Sequence, residues 1–483
     1  MRHWFAATLA GLICGLVPID SLWSTPAWLA ALVAMALAVH GRPAEDLARG
    51  AWIGALWYGL ALRWVALEWT DLGGELALPW AAWGAVMLLQ ALVPAVGLGL
   101  AGALRRTGWP LFASLALGLA AAEALAVWVQ PLPGGWAVFM APVQPLLWPA
   151  AFGGTALWLA VAGGWAGLMA SRPTWGLLGL VAWTGLGVVP RADDGPPLRV
   201  GLIQPNTGAM DGRRASTAPW REQRLMSLVE ASHQAGAQVV VTPEGAWPHR
   251  LDTRRDRTHT MLRERFHAFP AVLLGASMDE GDRRTNSLLG IESGQLTERW
   301  DKVHLVPVSE QAVWGVGEDV FHPGHAHATH RLGGVPIAAR ICYEDLITPS
   351  LRGLGEAELL VLSSNDAWLG PSLGSRQHEA GARLAAVLTG RWVVRPTNNG
   401  RSAVFDPAGR RRWHSPWVDG DVTPQHAGIA SVQTVHRVVP WWTGADVSPW
   451  LTLLAALLCA LGVAWGPRRS EDQPGPLLRE IPG

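Results

Sequence analysis

The chain has 483 residues, of which 50% are hydrophobic and 16% are charged, and its mean hydropathy is +0.19. This composition excludes an ordinary soluble protein of that length and indicates a protein that is partly embedded in a membrane. The 38 basic and 38 acidic residues give no net charge, so we expect no nucleic-acid partner.

Apolar runs in the first 192 residues are long enough to cross a bilayer. A helix needs about 20 residues to span roughly 30 Å of hydrocarbon. We therefore predict a membrane domain, residues 1–192, with seven transmembrane helices, and an eighth transmembrane helix within residues 447–467. The predicted helices cover residues 4–22, 26–40, 48–67, 77–103, 109–128, 147–170, 174–190 and 448–466.

The arginines predict the orientation of these helices, because cytoplasmic loops collect positive charge. With the N-terminus inside, the cytoplasmic loops and tail contain eight arginines, whereas the short outside loops contain Arg63 alone. Seven crossings then place residues 193–446 outside the cytoplasm, and residues 468–483 form a cytoplasmic tail. The eight arginines are Arg2, Arg42, Arg49, Arg105, Arg106, Arg172, Arg468 and Arg469.

Two further features stand out in the membrane domain. Glu123 lies in an apolar run, where a charged carboxylate near the helix centre costs about 2.5–3.5 kcal/mol. It is either a functional residue or a residue that pairs helices. Residues 130–140 are apolar but broken by proline and glycine, which predicts a loop at the membrane surface that shapes a lipid entrance.

Residues 193–446 have a different pattern, in which short β-branched runs alternate with longer polar segments typical of helices. This alternation predicts an α/β layered domain of about 250 residues with one substantial core. The predicted strands cover residues 199–204, 238–242, 271–275, a hairpin at 285–300, 335–341, 358–363, 392–395 and 402–405, and the helices cover 214–236, 253–268 and 375–390.

One carboxylate, one ammonium and one thiol follow predicted strands of this domain. Lys302 is the only lysine of the chain, and Cys342 is the only cysteine outside the apolar stretches. Together with Glu244 they are expected on loops of one sheet, where reactive residues tend to lie. A thiol needs a base to become a nucleophile, and the oxyanion of an acyl intermediate needs a positive group. Each residue alone is more often structural, but the three together predict a catalytic site.

Short segments around these residues resemble the Glu-Lys-Cys signature of the nitrilase superfamily. Further segments are similar to its membrane branch, the bacterial apolipoprotein N-acyltransferases, and the resemblance covers almost the whole chain. The segments of the first group are Pro243-Glu244, Asp301-Lys302-Val303-His304-Leu305-Val306-Pro307 and Ile341-Cys342-Tyr343-Glu344, and those of the second are residues 364–370, Gln377-His378 and residues 395–400.

The resemblance implies an αββα nitrilase-like domain on the periplasmic side of a multi-pass protein of the bacterial inner membrane. It also implies an acyltransferase that moves a fatty acyl chain from a phospholipid, through a cysteine thioester, to the amine of the N-terminal diacylglyceryl-cysteine of apolipoproteins. No metal or other cofactor is expected. Two features depart from the family pattern and concern recognition of the lipid and the acceptor. Residues 207–211 lack a tryptophan, and the stretch between Lys302 and Cys342 is shorter than the family leads us to expect. Three other tryptophans either compensate for these differences by binding the lipid or the acceptor, or serve only in packing. They are Trp247, Trp314 and Trp368.

The resemblance also assigns roles to individual residues. Cys342 corresponds to the nucleophile, Glu244 to the general base and Lys302 to the group that stabilises the oxyanion, together with the backbone N–H of Tyr343. The supporting acidic positions correspond to Glu310 and Glu344.

Other interpretations remain open at this point. The histidines His322, His325, His327 and His330 lie close enough in sequence to suggest a zinc site, although no nearby cysteine or carboxylate completes it. A membrane-tethered amidase of the same superfamily would use water in place of the amine. A non-catalytic lipid-binding or transport protein would need the helices but not the thiol.

Overall fold

The structure is a computed structural model. It describes residues 1–17, 24–71, 77–129, 144–187, 195–209, 211, 214–313, 315, 317–351, 354–369, 372–417 and 426–435. The predicted eighth transmembrane helix, the cytoplasmic tail, the loop at residues 130–140 and Trp314 lie outside the described residues.

Helices occupy each of the seven segments for which the sequence predicts a crossing. The predicted segment 48–67 is interrupted at Leu62 and Arg63, so that a separate short helix follows. The helices that the structure describes in this part are α1 (Arg2–Leu16), α2 (Ser24–Ala38), α3 (Pro43–Ala61), α4 (Trp64–Asp71), α5 (Ala77–Arg106), α6 (Leu111–Val129), α7 (Ala150–Ser171) and α8 (Pro173–Gly187).

Length and hydropathy qualify only some of these helices as membrane spans. Within the described residues, Leu78–Arg106 and Ala150–Ser171 are long and apolar enough to cross a bilayer, whereas Ser24–Ala38 and Leu111–Ala126 are apolar but shorter. The second span is kinked, because Gly153 and Gly154 depart from helical geometry. The eight-helix membrane domain therefore stays a prediction.

Small residues allow the helices to approach closely. A Cβ atom on Gly50 of α3 would lie 2.2 Å from the carbonyl oxygen of Pro94 in α5, so the two backbones are in contact there. Glu123 of α6 is fully buried inside the bundle and interacts electrostatically with Tyr58 of α3. Its carboxylate thus lies among the helices rather than on the surface of the bundle.

Twelve strands of the described residues form two six-stranded sheets, in the orders β12-β1-β2-β3-β4-β5 and β11-β10-β9-β8-β7-β6. The turn of the predicted hairpin is at Ser293 and Gly294, which both have positive φ. The first sheet contains β1 (Pro197–Gln204), β2 (Val239–Val241), β3 (Val272–Glu280), β4 (Arg283–Glu292), β5 (Gln295–Asp301) and β12 (His426–Gln433), and the second contains β6 (Thr329–Leu332), β7 (Val335–Ile341), β8 (Leu359–Ser363), β9 (Trp392–Arg395), β10 (Ala403–Phe405) and β11 (Arg411–His414).

Alternating side chains in each strand divide the domain into layers. In β8, Leu359 and Val361 belong to the core between the two sheets, whereas Leu360 and Leu362 belong to a core on the outer side of the second sheet. Helices α9 (Ala218–Gln234) and α10 (Asp256–Phe266) cover the outer side of the first sheet. Helix α11 (Leu373–Thr389) covers the second. The predicted αββα layering is confirmed.

The outer core of the second sheet continues into the N-terminal helices without a break. At this junction the indole N–H of Trp64 donates to Oε1 of Gln377 (2.9 Å), and Nε2 of Gln377 donates to the carbonyl of Ala61 (2.9 Å). A Cβ atom on Gly374 would lie 3.0 Å from the Trp64 ring, so α11 and α4 pack closely. The layered domain therefore packs against the apolar N-terminal helices, and α11 forms the contact.

Candidate active site

Each of the three candidate catalytic residues follows a strand directly or within a few residues. Lys302 follows β5 and Glu244 lies in the loop after β2, both in the first sheet, whereas Cys342 follows β7 in the second. The expectation that one sheet carries all three was wrong. The two sheets face each other, so loops from both meet at one end of the sandwich.

The ammonium of Lys302 lies between two carboxylates. Its Nζ donates to Oε1 of Glu244 (3.2 Å) and pairs with Glu310 at 2.8 Å from Oε2. The Lys302 side chain is fully buried, and Glu244 is 8% exposed. The half-buried thiol of Cys342 interacts electrostatically with all three of these groups. The structure thus brings the predicted Glu, Lys and Cys together with the predicted supporting residue Glu310.

The carboxylate of Glu244 is held by donors on both of its oxygens. Oε1 accepts from Lys302 and from Nδ2 of Asn286 in β4 (2.6 Å), and Oε2 accepts from the backbone N–H of Asn365 (3.0 Å). Such bonds fix the orientation of a carboxylate. Sequence reasoning missed Asn286, although the polar residues Thr285-Asn286-Ser287 directly before the apolar pair Leu288-Leu289 of the predicted hairpin are a signal that could have identified it.

Glu344 joins the loop that carries Cys342 to the loop that carries Lys302. It is 1% exposed, and its Oε2 accepts from the backbone N–H of Ile341 (2.8 Å). Its Oε1 accepts from the N–H groups of Val303 (2.9 Å) and His304 (3.0 Å). Burial alone would raise the pKa of Glu344, but these hydrogen bonds and the nearby histidines outweigh burial and lower it.

The backbone at Cys342 is strained. Its φ is +55°, a left-handed conformation that residues other than glycine rarely adopt, and a 3₁₀ segment, Cys342–Leu346, begins at this residue. The sharp turn from strand to helix presents the thiol at the end of β7. The adjacent Tyr343 has a mostly buried side chain, and burial raises the pKa of its phenol to about 12.

The electrostatics of the site favour a protonated thiol and a charged ammonium. Burial, followed by the negative charge of Glu244, raises the pKa of Cys342 well above its usual value, and the charge of Lys302 only partly offsets this. Burial would lower the pKa of Lys302, but Glu244, Cys342 and Glu310 outweigh burial and raise it. A nucleophile therefore has to be generated by a base within the site rather than by spontaneous ionisation.

A network of buried charges supports the loop that contains Asn365, and sequence reasoning did not predict it. The ring of His378 in α11 lies 2.9 Å from Asp345 on one side and 2.9 Å from Asp366 on the other. Arg395 pairs with Asp366 at 2.8 Å. Two cations thus balance two carboxylates in a region that excludes water. The network connects the segment after Cys342 with the segment that binds Glu244.

Replacing His378 by glutamine is expected to lower the free energy of unfolding by about 3–5 kcal/mol near pH 6.5, because two buried carboxylates lose a shared cation. Burial alone would lower the pKa of His378, but Asp345 and Asp366 raise it to about 10. This stabilisation is complete below the unfolded-state pKa of about 6.5 and is lost as pH rises towards 10. Thermal unfolding between pH 6 and pH 10 measures it.

The matched control for this substitution is His267→Gln, at an exposed position just after α10. The control should keep the midpoint temperature and the pH dependence of the unmodified protein. The His378→Gln protein should have a lower midpoint and a flatter dependence on pH. An unchanged pH dependence in this variant would show that His378 is not a cation in the folded protein.

The four histidines considered as a zinc site do not come together in the described part of the chain. His330 pairs with Glu298 at 2.8 Å, Nδ1 of His322 accepts from the backbone N–H of Arg284, and His325 is exposed. His327 instead lies beside His304. The idea of one site formed by all four was wrong, because they have different surroundings in the described residues.

The tryptophans considered for recognition differ in position. Trp247 is buried in the core under the first sheet and packs against Phe266, at 5.7 Å between ring centroids. Trp368 lies in the 3₁₀ segment Asp366–Leu369 and is partly exposed. Packing therefore accounts for Trp247, whereas Trp368 is accessible next to the segment that binds Glu244.

Comparison with known proteins identifies the family. The carbon-nitrogen hydrolase family model matches residues 199–423. An apolipoprotein N-acyltransferase from Gloeobacter violaceus is 31% identical, over 95% of this chain and 93% of the relative, and one from Pseudomonas syringae pv. tomato is 29% identical, over 91% and 92%. Among solved structures, a variant of the amidase from Nesterenkonia sp. AN1 matches with a TM-score of 0.38 and 16% identity, covering 52% of this chain and 99% of that chain.

The likeness to the full-length relatives includes the helical part as well as the layered domain, because the alignments cover nearly all of both chains. A soluble hydrolase that shared only the layered domain would not give such coverage. The chain therefore belongs to the apolipoprotein N-acyltransferase family.

Proposed function

We propose that this chain transfers a fatty acyl chain from a phospholipid to the N-terminal diacylglyceryl-cysteine amine of apolipoproteins, through a thioester on Cys342. The observation that carries the proposal is the buried Lys302 ammonium between Glu244 and Glu310, in electrostatic contact with a protonated thiol. Family membership supports the choice of acyl donor and acceptor.

The first half-reaction forms the thioester. As Sγ of Cys342 attacks the ester carbonyl of the phospholipid, Glu244 takes the thiol proton. The carbonyl oxygen becomes an oxyanion, which Lys302 and the backbone N–H of Tyr343 stabilise. When the intermediate collapses, the bond to the lysophospholipid oxygen breaks and Glu244 returns the proton to that oxygen. The acyl chain stays on Cys342.

The second half-reaction uses the same groups in the opposite direction. The amine of the acceptor attacks the thioester carbonyl, and Glu244 takes a proton from the nitrogen. The C–S bond breaks, the amide forms, and the proton returns to Cys342. Glu310 positions Lys302 by its ion pair, and Glu344 positions the loops of Lys302 and Cys342 by its bonds to the backbone.

The thioester has to survive until an amine arrives, so water has to be excluded. The burial of Lys302 and the apolar core that joins α11 to the N-terminal helices support a site at the membrane surface. We assign residues 1–192 to a membrane domain with seven crossings, residues 193–446 to the periplasmic catalytic domain, residues 447–467 to an eighth crossing and residues 468–483 to a cytoplasmic tail, in the bacterial inner membrane.

The test uses purified full-length protein and a phospholipid with a deuterium-labelled acyl chain. Without acceptor, the protein mass should increase by one labelled acyl group, located on Cys342 by peptide mapping. Adding a diacylglyceryl-cysteine peptide should move the label to the peptide amine. Cys14→Ala, which removes the other described cysteine, is the control and should behave normally.

Two outcomes would contradict the proposal. Release of labelled fatty acid by water at the same rate with and without peptide would identify a hydrolase. Undiminished transfer by Cys342→Ala would indicate a protein that binds or moves lipid without covalent catalysis.

A further inference from the structure

Three potential metal ligands converge beside the active site. His304 lies two residues after Lys302, His327 lies just before β6, and Glu344 lies two residues after Cys342. Nδ1 of His304, Nε2 of His327 and Oε1 of Glu344 face one another, and the two imidazole rings stack with their centroids 5.3 Å apart. The mechanism proposed above uses neither imidazole.

The distances between the three atoms agree with a tetrahedral metal site. The two nitrogen atoms are 3.3 Å apart, and each lies 3.6 Å from Oε1 of Glu344. Zinc binds nitrogen and oxygen ligands at about 2.0–2.2 Å, so two ligands of a tetrahedral zinc ion are about 3.3–3.6 Å apart. The three atoms therefore already have the spacing of one face of a coordination tetrahedron.

An ion can reach this face from solvent. The side chain of His304 is 40% exposed and that of His327 is 17% exposed, whereas Glu344 is 1% exposed and forms the floor. With three protein ligands, the fourth coordination position of a bound zinc ion would be occupied by water. Catalytic zinc sites have this open arrangement, whereas structural sites usually have four protein ligands.

Two features set a limit on the affinity. Oε1 of Glu344 already accepts two backbone hydrogen bonds, and a carboxylate oxygen has about two acceptor directions. An incoming ion therefore has to weaken the bond from Val303 or from His304. Arg340, which is buried and interacts with both Glu344 and His327, adds repulsion. The site should bind more weakly than a structural site with four protein ligands.

We propose that His304, His327 and Glu344 form a binding site for zinc or a similar divalent transition metal, and that occupancy of this site inhibits the enzyme. Inhibition follows from the role of Glu344, because its Oε1 holds the two residues that directly follow Lys302. A metal bound to that oxygen would weaken its hydrogen bonds from the backbone of Val303 or His304, which hold the Lys302 loop in position beside the loop of Cys342.

The experiment measures zinc binding and cobalt spectra on full-length protein that carries no histidine tag and has been stripped with chelator. We expect one Zn²⁺ per chain, and a cobalt-substituted protein with the intense visible absorption of tetrahedral Co²⁺. His304→Gln and His327→Gln should each weaken zinc binding by roughly 10- to 100-fold or more, since even the loss of an outer hydrogen-bonding partner costs that much.

Two control proteins identify the ligands. His330→Gln, which changes a histidine of β6 outside the cluster, should bind zinc normally. Cys342→Ala should also bind normally, which separates this site from coordination by the thiol. Zinc binding that survives both His304→Gln and His327→Gln, or that disappears with Cys342→Ala, would overturn the proposal whether or not the chain is an acyltransferase.

Inhibition is measured separately with labelled phospholipid and acceptor peptide. Stoichiometric zinc should reduce transfer by the unmodified protein, and chelator should restore it. Zinc that binds at this cluster without any loss of transfer would overturn the inhibitory part of the proposal.

Discussion

Replacing Lys302 by arginine is expected to reduce the rate of acyl transfer by about 10²-fold or more, although the positive charge remains, because this is the cost of losing one contact to an oxyanion. The Lys302 side chain is fully buried, with its Nζ 3.2 Å from Glu244 and 2.8 Å from Glu310. A guanidinium is wider and planar, so its nitrogen atoms cannot occupy the position of a compact ammonium. The rate of peptide acylation measures the effect.

The control for this substitution is Arg257→Lys, the reverse exchange at an exposed position of α10. It should leave the rate unchanged. Circular dichroism and thermal unfolding should show that Lys302→Arg is folded. Near-normal transfer by the folded Lys302→Arg protein would exclude a specific role for the ammonium at the oxyanion.

Residue chemistry at strand ends was sufficient to predict the central groups of the candidate site. A single lysine, a single cysteine outside apolar stretches and a glutamate after a buried strand were visible in the sequence, and the structure brings them together. Their distribution over two sheets was not visible. Local patterns reveal that a strand exists but not which sheet it joins, because pairing depends on contacts between distant residues.

The supporting contacts were harder to predict for the same reason. Asn286 and Glu244 are 42 residues apart. His378, a residue of α11, pairs with Asp345 and Asp366, which lie in two separate 3₁₀ segments before that helix. A buried charge is stable only with its partners. These partners, however, are not separated by a characteristic spacing, such as four residues on one helix, that would identify the pair from the sequence. The pairs become recognisable only after α11 and the second sheet are assembled.

The N-terminal helices show the strength and the limit of predictions from hydropathy. Apolar runs predicted the positions of the helices before residue 188, because about 20 consecutive apolar residues favour a helix long enough to cross a bilayer. They did not predict the break at Leu62 and Arg63, after which α4 contacts the layered domain. The break lies directly before Trp64, which contacts Gln377, a residue 313 positions away in sequence.

The contact between α4 and α11 has a consequence for the chemistry. Gln377, which binds Trp64 and Ala61, precedes His378, and His378 pairs with Asp366. Asp366 follows Asn365, whose backbone N–H fixes Glu244. A continuous series of contacts therefore connects the proposed base with the junction between the layered domain and the N-terminal helices.

Replacing Glu244 by glutamine is expected to reduce thioester formation by about 10²- to 10⁴-fold, the usual contribution of a general base. The raised pKa of Cys342 leaves very little thiolate at neutral pH, so attack without the base is slow. Burial is the main cause of that raised pKa, and the charge of Glu244 is the second. Removing the charge should therefore lower the pKa of the thiol.

Two reactions of the same thiol should consequently change in opposite directions. Alkylation by iodoacetamide requires only thiolate, so it should be faster in Glu244→Gln than in the unmodified protein at pH 8. Thioester formation also requires transfer of the proton to the leaving oxygen, so it should be slower. Raising the pH should restore part of the thioester formation in the variant, because the thiolate fraction increases about tenfold per pH unit below the pKa.

The control is Glu230→Gln, an exposed position of α9, which should leave both reactions unchanged. Glu244→Ala should reproduce the opposite shifts, since it also removes the charge without adding an amide donor near Asn365. If alkylation and thioester formation both slowed in Glu244→Gln, the substitution would have blocked access to Cys342. Parallel acceleration of both would mean that thiolate supply, rather than proton transfer by Glu244, limits the first half-reaction.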